Sequence, residues 1–173
     1  MKTYEFTFLV DADPHSDDFE DRFIEAGCDD ATFSLIRGSA ALSFDRSAES
    51  HKEAVYSALI QIKQAGSKIT RFDPDYLVSA TEIAARSGLT KAAINLYGNG
   101  SRGEGYPKAS VRVSTTSPLW DWVDVSKWLM DHGKVSAEVY LEALNSRIIN
   151  LGAQVNHMAN KQVFDIEAQL LAA

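Results

Sequence analysis

The stretch "SATEIAARSGLTKAAINLY", residues 79–97, carries two short helical patterns hinged on Ser87-Gly88-Leu89-Thr90. Ser79-Ala80-Thr81-Glu82 is a capping box: the Ser79 hydroxyl accepts the Glu82 backbone N–H, and the Glu82 carboxylate reaches back to the Ser79 N–H. A helix is therefore predicted to begin at Ala80. Ile83, Ala84 and Ser87 form its inward side, with Ala84 small where a second helix must cross closely. Gly88 then ends it in a left-handed conformation that costs least without a Cβ atom. Leu89 fills the space between the two helices, Thr90 caps the second, and Ile94 and Tyr97 supply its buried face. A small residue, a glycine four later, and apolar positions six and nine beyond that glycine make the spacing of a helix-turn-helix.

With Ile94 and Tyr97 inward, Thr90, Lys91, Ala92, Asn95 and Leu96 fall on the outer face and the start of the second helix. Their chemistry suits base edges. Asn95 can pair bidentately with adenine, Lys91 can reach guanine or a phosphate, and Ala92 or Leu96 can touch a thymine methyl. The segment that follows, "GNGSRGEGYPKASVRVSTTSPLW" (98–120), places four glycines before Pro107 and then alternates from Ala109 to Ser114, which predicts a β wing. Arg102, Lys108 and Arg112 along that wing are candidate phosphate contacts, which position a protein on a duplex without reading its sequence. In "WDWVDVSKWL" (120–129), Trp122, Val125, Trp128 and Leu129 share one helix face, and aromatics at that spacing are expected in a core.

Charge is distributed unevenly around this region. The 173 residues carry a formal net charge of −7. Residues 1–78 hold 8 Lys/Arg against 15 Asp/Glu, residues 79–128 hold 6 against 4, and residues 129–173 hold 3 against 5. Between 86 and 112, Arg86, Lys91, Arg102, Lys108 and Arg112 face Glu104 alone. A generic coat for nucleic acid is excluded by the total, whereas a local basic site is not. A hydrophobic content of 45% allows a core of useful size. No signal peptide pattern and no apolar run of membrane-spanning length is present, and Cys28 has no disulfide partner, so a soluble cytoplasmic protein is expected.

Upstream, Tyr4, Phe6, Phe8 and Val10 alternate as in a half-buried strand. Residues 16–27 place Phe19, Phe23, Ile24 and Ala26 at helical spacing, with Ser16 as cap and Gly27 as stop. Ala31, Phe33 and Leu35, then Ala40, Leu42 and Phe44, form a hairpin about Arg37-Gly38-Ser39. Ala54, Val55, Ala58, Leu59 and Ile62 line a second helix over 48–65, and residues 68–72 supply a last strand. The order βαββαβ is that of a ferredoxin-like α+β domain. The acids Asp17, Asp18, Glu20, Asp21, Glu25, Asp29 and Asp30 are expected on a solvated face, or else on a partner-binding one.

Downstream, residues 135–173 read as helix after a Ser136 cap. Leu141, Leu144, Ile148, Leu151, Val155 and Met158 step 3, 4, 3, 4, 3, the seam of two to three heptads, before Gln162 interrupts it and Ile166 and Leu170 resume an apolar face. The seam either pairs two chains or, with a break near Gly152, packs back on its own domain. Pairing would suit two-fold symmetric DNA.

From Leu77 to Leu129 the chain resembles the winged helix-turn-helix of bacterial DNA-binding regulators of the MerR/excisionase-like type. It also resembles bacterial helix-turn-helix proteins in which a segment similar to "FIEAGCDDATFSLIRGSAALSFDRSAES" precedes an Arg-Gly-x-Gly-aromatic-Pro wing (residues 102–107) and a Pro-Leu-Trp-x-Trp element (residues 118–122). The likeness is least marked in the C-terminal helix. It implies sequence-specific binding of double-stranded DNA, often as a homodimer. One departure is that Lys91 is the only basic residue of the second helix, so readout through arginine is absent there.

The expectation is then a dimeric transcriptional repressor with a ferredoxin-like domain (1–74), a winged helix-turn-helix (75–131) and a C-terminal helical dimerisation segment (132–173). Helix 90–97 would read the major groove and wing 98–116 the phosphates or minor groove. The alternative is a protein-binding adaptor or antitoxin that holds a partner on the acidic domain or the C-terminal helix. No cofactor, metal or catalytic group is expected. His15, His51, His132 and His157 lack a second group at meaningful spacing, and the acids around Cys28 discourage a thiolate.

Overall fold

The computed structural model describes residues 1–159, with side chains through residue 157. Among these residues the protein is mixed α+β, with six helices and a four-stranded antiparallel sheet. The chain divides into two compact units, one built from Met1–Pro74 together with the residues from Ile148 onward, the other from Asp75–Arg147.

The first unit begins with strand β1 (Lys2–Val10), helix α1 (Phe19–Glu25), strands β2 (Ala31–Ile36) and β3 (Ser39–Ala48), helix α2 (His51–Gln64) and strand β4 (Ile69–Asp73). The sheet order is β2-β3-β1-β4, with every neighbouring pair antiparallel. Alternation in β1 buries Tyr4, Phe6, Phe8 and Val10 on one face, and register sets Phe6 beside Phe44, Phe8 beside Leu42 and Val10 beside Ala40. Phe6 and Phe44 stack at 5.2 Å and Phe8 meets Phe72 at 5.0 Å, so four phenylalanines from three strands make the floor of the core. Phe19 and Phe23 of α1 and Ala54, Val55, Ala58 and Ile62 of α2 complete the same cluster.

Helix α1 is shorter than its pattern suggests. Its cap position is Asp18, not Ser16, because the Ser16 hydroxyl donates to the Asp13 carbonyl at 3.0 Å within the preceding turn. Ile24 is exposed, since seven residues of helix leave room for only the Phe19 and Phe23 positions to face the sheet. The hairpin between β2 and β3 turns on Arg37 and Gly38, with φ of 50° and 84°. Positive φ at both central residues matches the right-handed twist of the flanking strands, which is why a two-residue loop suffices.

Arg46 is the polar tie of this unit. Only 8% exposed, its guanidinium donates to Asp30 at 2.6 and 2.8 Å and to the Ser57 hydroxyl at 3.0 Å, linking β3 to the α1–β2 connection and to α2. Cys28 lies within the core, where burial pushes its thiol up to about 11. Arg46 opposes that shift and Asp30 and Asp29 add to it, so the neighbouring acids act in the expected direction but are a lesser cause than the loss of water.

Helix α6 (Ala137–Ala159) contributes to both units, residues 137–147 to the second and residues from Ile148 to the first. It is continuous through Gly152, so the break considered there does not occur: one glycine costs a helix about 1 kcal/mol, which twenty-two other residues offset. Ala143, Ser146, Ile149, Asn150 and Ala153 are its buried residues. Leu141, Ile148, Leu151 and Val155 point away from them and are 44–63% exposed. Leu144 departs from the expected seam, being partly buried against the core of the second unit beside Ala143. The side chain of Met158, and the expectations for Gln162, Ile166 and Leu170, lie outside the described residues. Among the described residues no helix is long and apolar enough to cross a membrane.

Candidate nucleic-acid interface

The second unit opens with strand β5 (Leu77–Val78) and helices α3 (Ala80–Ser87) and α4 (Lys91–Gly98), and continues through strand β6 (Trp120–Asp121) and helix α5 (Trp122–Asp131). The capping box forms as its residue types require. Glu82 N–H donates to Ser79 Oγ at 3.3 Å, and Ser79 N–H donates to Glu82 Oε2 at 2.7 Å. Gly88 follows α3 with φ of 70°, and Thr90 Oγ1 accepts the Ala93 N–H at 3.1 Å to start α4. Ser87 donates to the Ile83 carbonyl at 2.7 Å, which closes the last turn of α3 with its own side chain. Ile83 and Ile94 are fully buried and meet Val78, Trp122, Val125 and Leu129 in one cluster.

Burial of Ile94 decides what α4 presents. Thr90, Lys91, Ala92, Asn95 and Leu96 are all exposed, on the side of α4 away from the core. Arg86, the first cation of the basic stretch, is engaged differently: it donates to the Asp75 carbonyl at 2.6 Å, and its guanidinium lies 5.9 Å from the Trp122 ring centre. Arg102, Lys108 and Arg112 are exposed. Elsewhere in this unit Arg147 pairs with Asp121 and Asp124, and Lys127 with Asp131.

The glycine-rich loop is held by aromatic packing. Tyr97 stacks on Tyr106 at 5.3 Å, Trp128 meets both at 5.2 and 5.1 Å, and Trp128 Nε1 donates to the Glu104 carbonyl at 3.2 Å. Burial, and then the neighbouring Tyr97, push the Tyr106 hydroxyl up to about 12. Tyr97 is therefore half-buried by the loop, while Trp128 serves as the loop's platform. Gly103 has φ of 71° and sits where a Cβ atom would lie 2.8 Å from Tyr97 and 3.1 Å from Trp128. Gly103→Ala is expected to cost about 2 kcal/mol through backbone strain and overpacking together. All three tryptophans belong to this unit, so denaturant unfolding followed by tryptophan fluorescence reads that loss directly. An unchanged midpoint would mean that the loop does not lean on the aromatic pair.

The wing differs from its expectation. Ala109–Ser114 is not a strand: the segment is extended with a single bridge, Val111 to Leu119, and then turns. Arg112 takes φ of 54°, which no strand accommodates, and its carbonyl accepts the Thr115 N–H and hydroxyl at 3.0 and 2.9 Å. Regular pairing is confined to Leu77–Val78 with Trp120–Asp121. Arg112 therefore sits at the turn, and Lys108 on the extended lead into it. Between the glycine loop and this turn lies an open cleft of about 640 Å³ whose lining includes Tyr97, Asn99, Glu104, Lys108 and Val113. Of these, the sequence marked Lys108 as a contact; Asn99 carries no periodic signal, Val113 belongs to an alternation that marked a strand and not a cleft, and the place of both depends on how the loop folds.

Among the described residues no three His, Cys, Asp or Glu side chains gather closely enough to hold a metal ion. His132 stacks on Trp128 at 3.8 Å with Nδ1 2.7 Å from the Trp128 carbonyl, a role in closing α5. Compared with models of protein families, with curated proteins and with solved structures, the chain shows no significant match.

Proposed function

We propose that the protein is a sequence-specific DNA-binding transcriptional regulator, a dimeric repressor in which α4 enters the major groove as the reading helix of a winged helix-turn-helix. The observation that carries this reading is the division of α4, where Ile94 is fully buried while Thr90, Lys91, Ala92, Asn95 and Leu96 are all exposed. An amide, an ammonium and small apolar groups on one short, well-capped helix are what base-edge recognition requires. Arg102, Lys108 and Arg112, exposed on the loop and turn that follow, supply phosphate contacts. In this reading the first unit is a ferredoxin-like domain, supported by its βαββαβ order and its β2-β3-β1-β4 sheet. Exposure of Leu141, Ile148, Leu151 and Val155 on α6 supports pairing of two chains there.

With one basic residue on the reading helix, each protomer binds weakly, and two half-sites are needed for useful affinity. The test is enrichment of binding sequences from a random duplex library, followed by anisotropy titration of the enriched duplex and a scrambled control at two salt concentrations. The double variant Lys91→Ala/Asn95→Ala is expected to lose about 10- to 100-fold on the enriched duplex and much less on the control. Its salt dependence is expected to be shallower by about one in log–log slope if Lys91 also meets a phosphate. No enrichment and no duplex binding at low salt would overturn the reading.

A further inference from the structure

We propose that the first unit binds one small amphipathic acid, an apolar body bearing a single carboxylate or sulfonate, in the groove between α2, the start of β4 and the second half of α6. This site is independent of DNA binding and rests on none of the residues assigned to it, except that Ile148 also belongs to the exposed face of α6.

The groove encloses about 520 Å³, within the roughly 300–1,000 Å³ typical of small-molecule sites. Leu59, Ile69, Ile148 and Ile149 make its walls apolar, and Lys63 and Lys68 stand at its edge. Among the described residues no acidic side chain lines it, although residues 1–78 carry 15 acids against 8 cations. An apolar floor with ammonium groups at the rim is complementary to a molecule with one charged end, and not to a neutral oil or a polyanion. Ser67, 6% exposed and next to Lys68 in the chain, and Asn156 on α6 add hydrogen-bonding groups to the lining.

Two features shape the groove. Asn150 is fully buried; its amide donates to the Phe72 carbonyl and accepts the Phe72 N–H, both at 2.9 Å, which pins α6 to the edge of β4. Two residues on, Gly152 lines the groove, and a Cβ atom there would meet nothing within 4 Å. A glycine inside a helix is unfavourable relative to alanine, and here no close packing demands it. Its consequence is a low wall at the mouth of the groove, beside an Ile148 left 51% exposed.

The experiment uses the full chain and two fluorescent probes with the same rings, 8-anilinonaphthalene-1-sulfonate and the uncharged N-phenyl-1-naphthylamine. The sulfonate is expected to bind saturably at one per chain and more tightly than the neutral probe. Lys63→Glu/Lys68→Glu is expected to weaken the sulfonate about tenfold while leaving the neutral probe nearly unchanged. Gly152→Leu, which grows into open space, is expected to weaken both probes with its far-UV circular dichroism and unfolding midpoint retained or improved. Equal binding of the sulfonate to the wild type and to both variants would overturn the proposal. So would unsaturable binding, or association only with phosphatidylglycerol vesicles and not with the free probe.

Discussion

Asn150→Ala is expected to destabilise the first unit by about 3 kcal/mol. Asn150 is fully buried and satisfies both the N–H and the C=O of Phe72, so its amide stands where a further strand would otherwise pair with the outer edge of β4. Alanine removes the partner of two buried backbone groups at once, and each orphaned group costs on the order of 1–3 kcal/mol. Asn150→Asp is a sharper control. It retains an acceptor for the Phe72 N–H but sets a carboxylate against the Phe72 carbonyl, and is expected to be no better than alanine. Denaturant unfolding followed by far-UV circular dichroism measures both, since this unit contains no tryptophan. A loss below about 0.5 kcal/mol for alanine would show that water or a shifted α6 replaces the amide at little cost.

Phe8→Ala is expected to cost the same unit about 4 kcal/mol, the usual range for a fully buried phenylalanine being about 3–5. Its ring contacts Phe6, Phe44 and Phe72 at 5.8, 6.2 and 5.0 Å, and none of its surface reaches water. The cavity left would lie between three other rings fixed in separate strands, which cannot all move inward. Phe8→Leu keeps most of the volume and is expected to lose about half as much. In both cases the tryptophan-reported transition of the second unit gives an internal reference; an equal shift there would show that the two units unfold as one.

Much of the architecture was legible because local rules and tertiary needs coincide. Alternation at Tyr4, Phe6, Phe8 and Val10 marks both a strand and its buried face, since side chains on a strand repeat every two residues. The capping box at Ser79 and Glu82, the left-handed Gly88 and the Thr90 cap are decided within four residues of chain, and all three form. Burial of Ile94 followed from spacing alone, and with it the exposure of Thr90, Lys91, Ala92, Asn95 and Leu96.

Elsewhere the outcome depended on partners distant in the chain. Ala109–Ser114 has the alternation of a strand, yet a strand needs a neighbour, and only Val111 finds one in Leu119 before Arg112 turns the chain. Leu144 keeps heptad spacing but goes to its own core, because the core of the second unit extends over that side of α6. Ser16 could cap a helix, but the Asp13 carbonyl claims its hydroxyl first. Asn150 gave no signal at all: a single polar residue in a helical run acquires its meaning from Phe72, seventy-eight positions away. The same holds for the groove, whose lysines come from α2 and from the residue just before β4 and whose far wall comes from α6. Periodicity and capping, which act over one or two turns of chain, determined the elements and their faces. The pairing of edges, the filling of volumes and the gathering of charge around a groove were settled only by the folded chain, because those energies belong to pairs of residues that sequence separation hides.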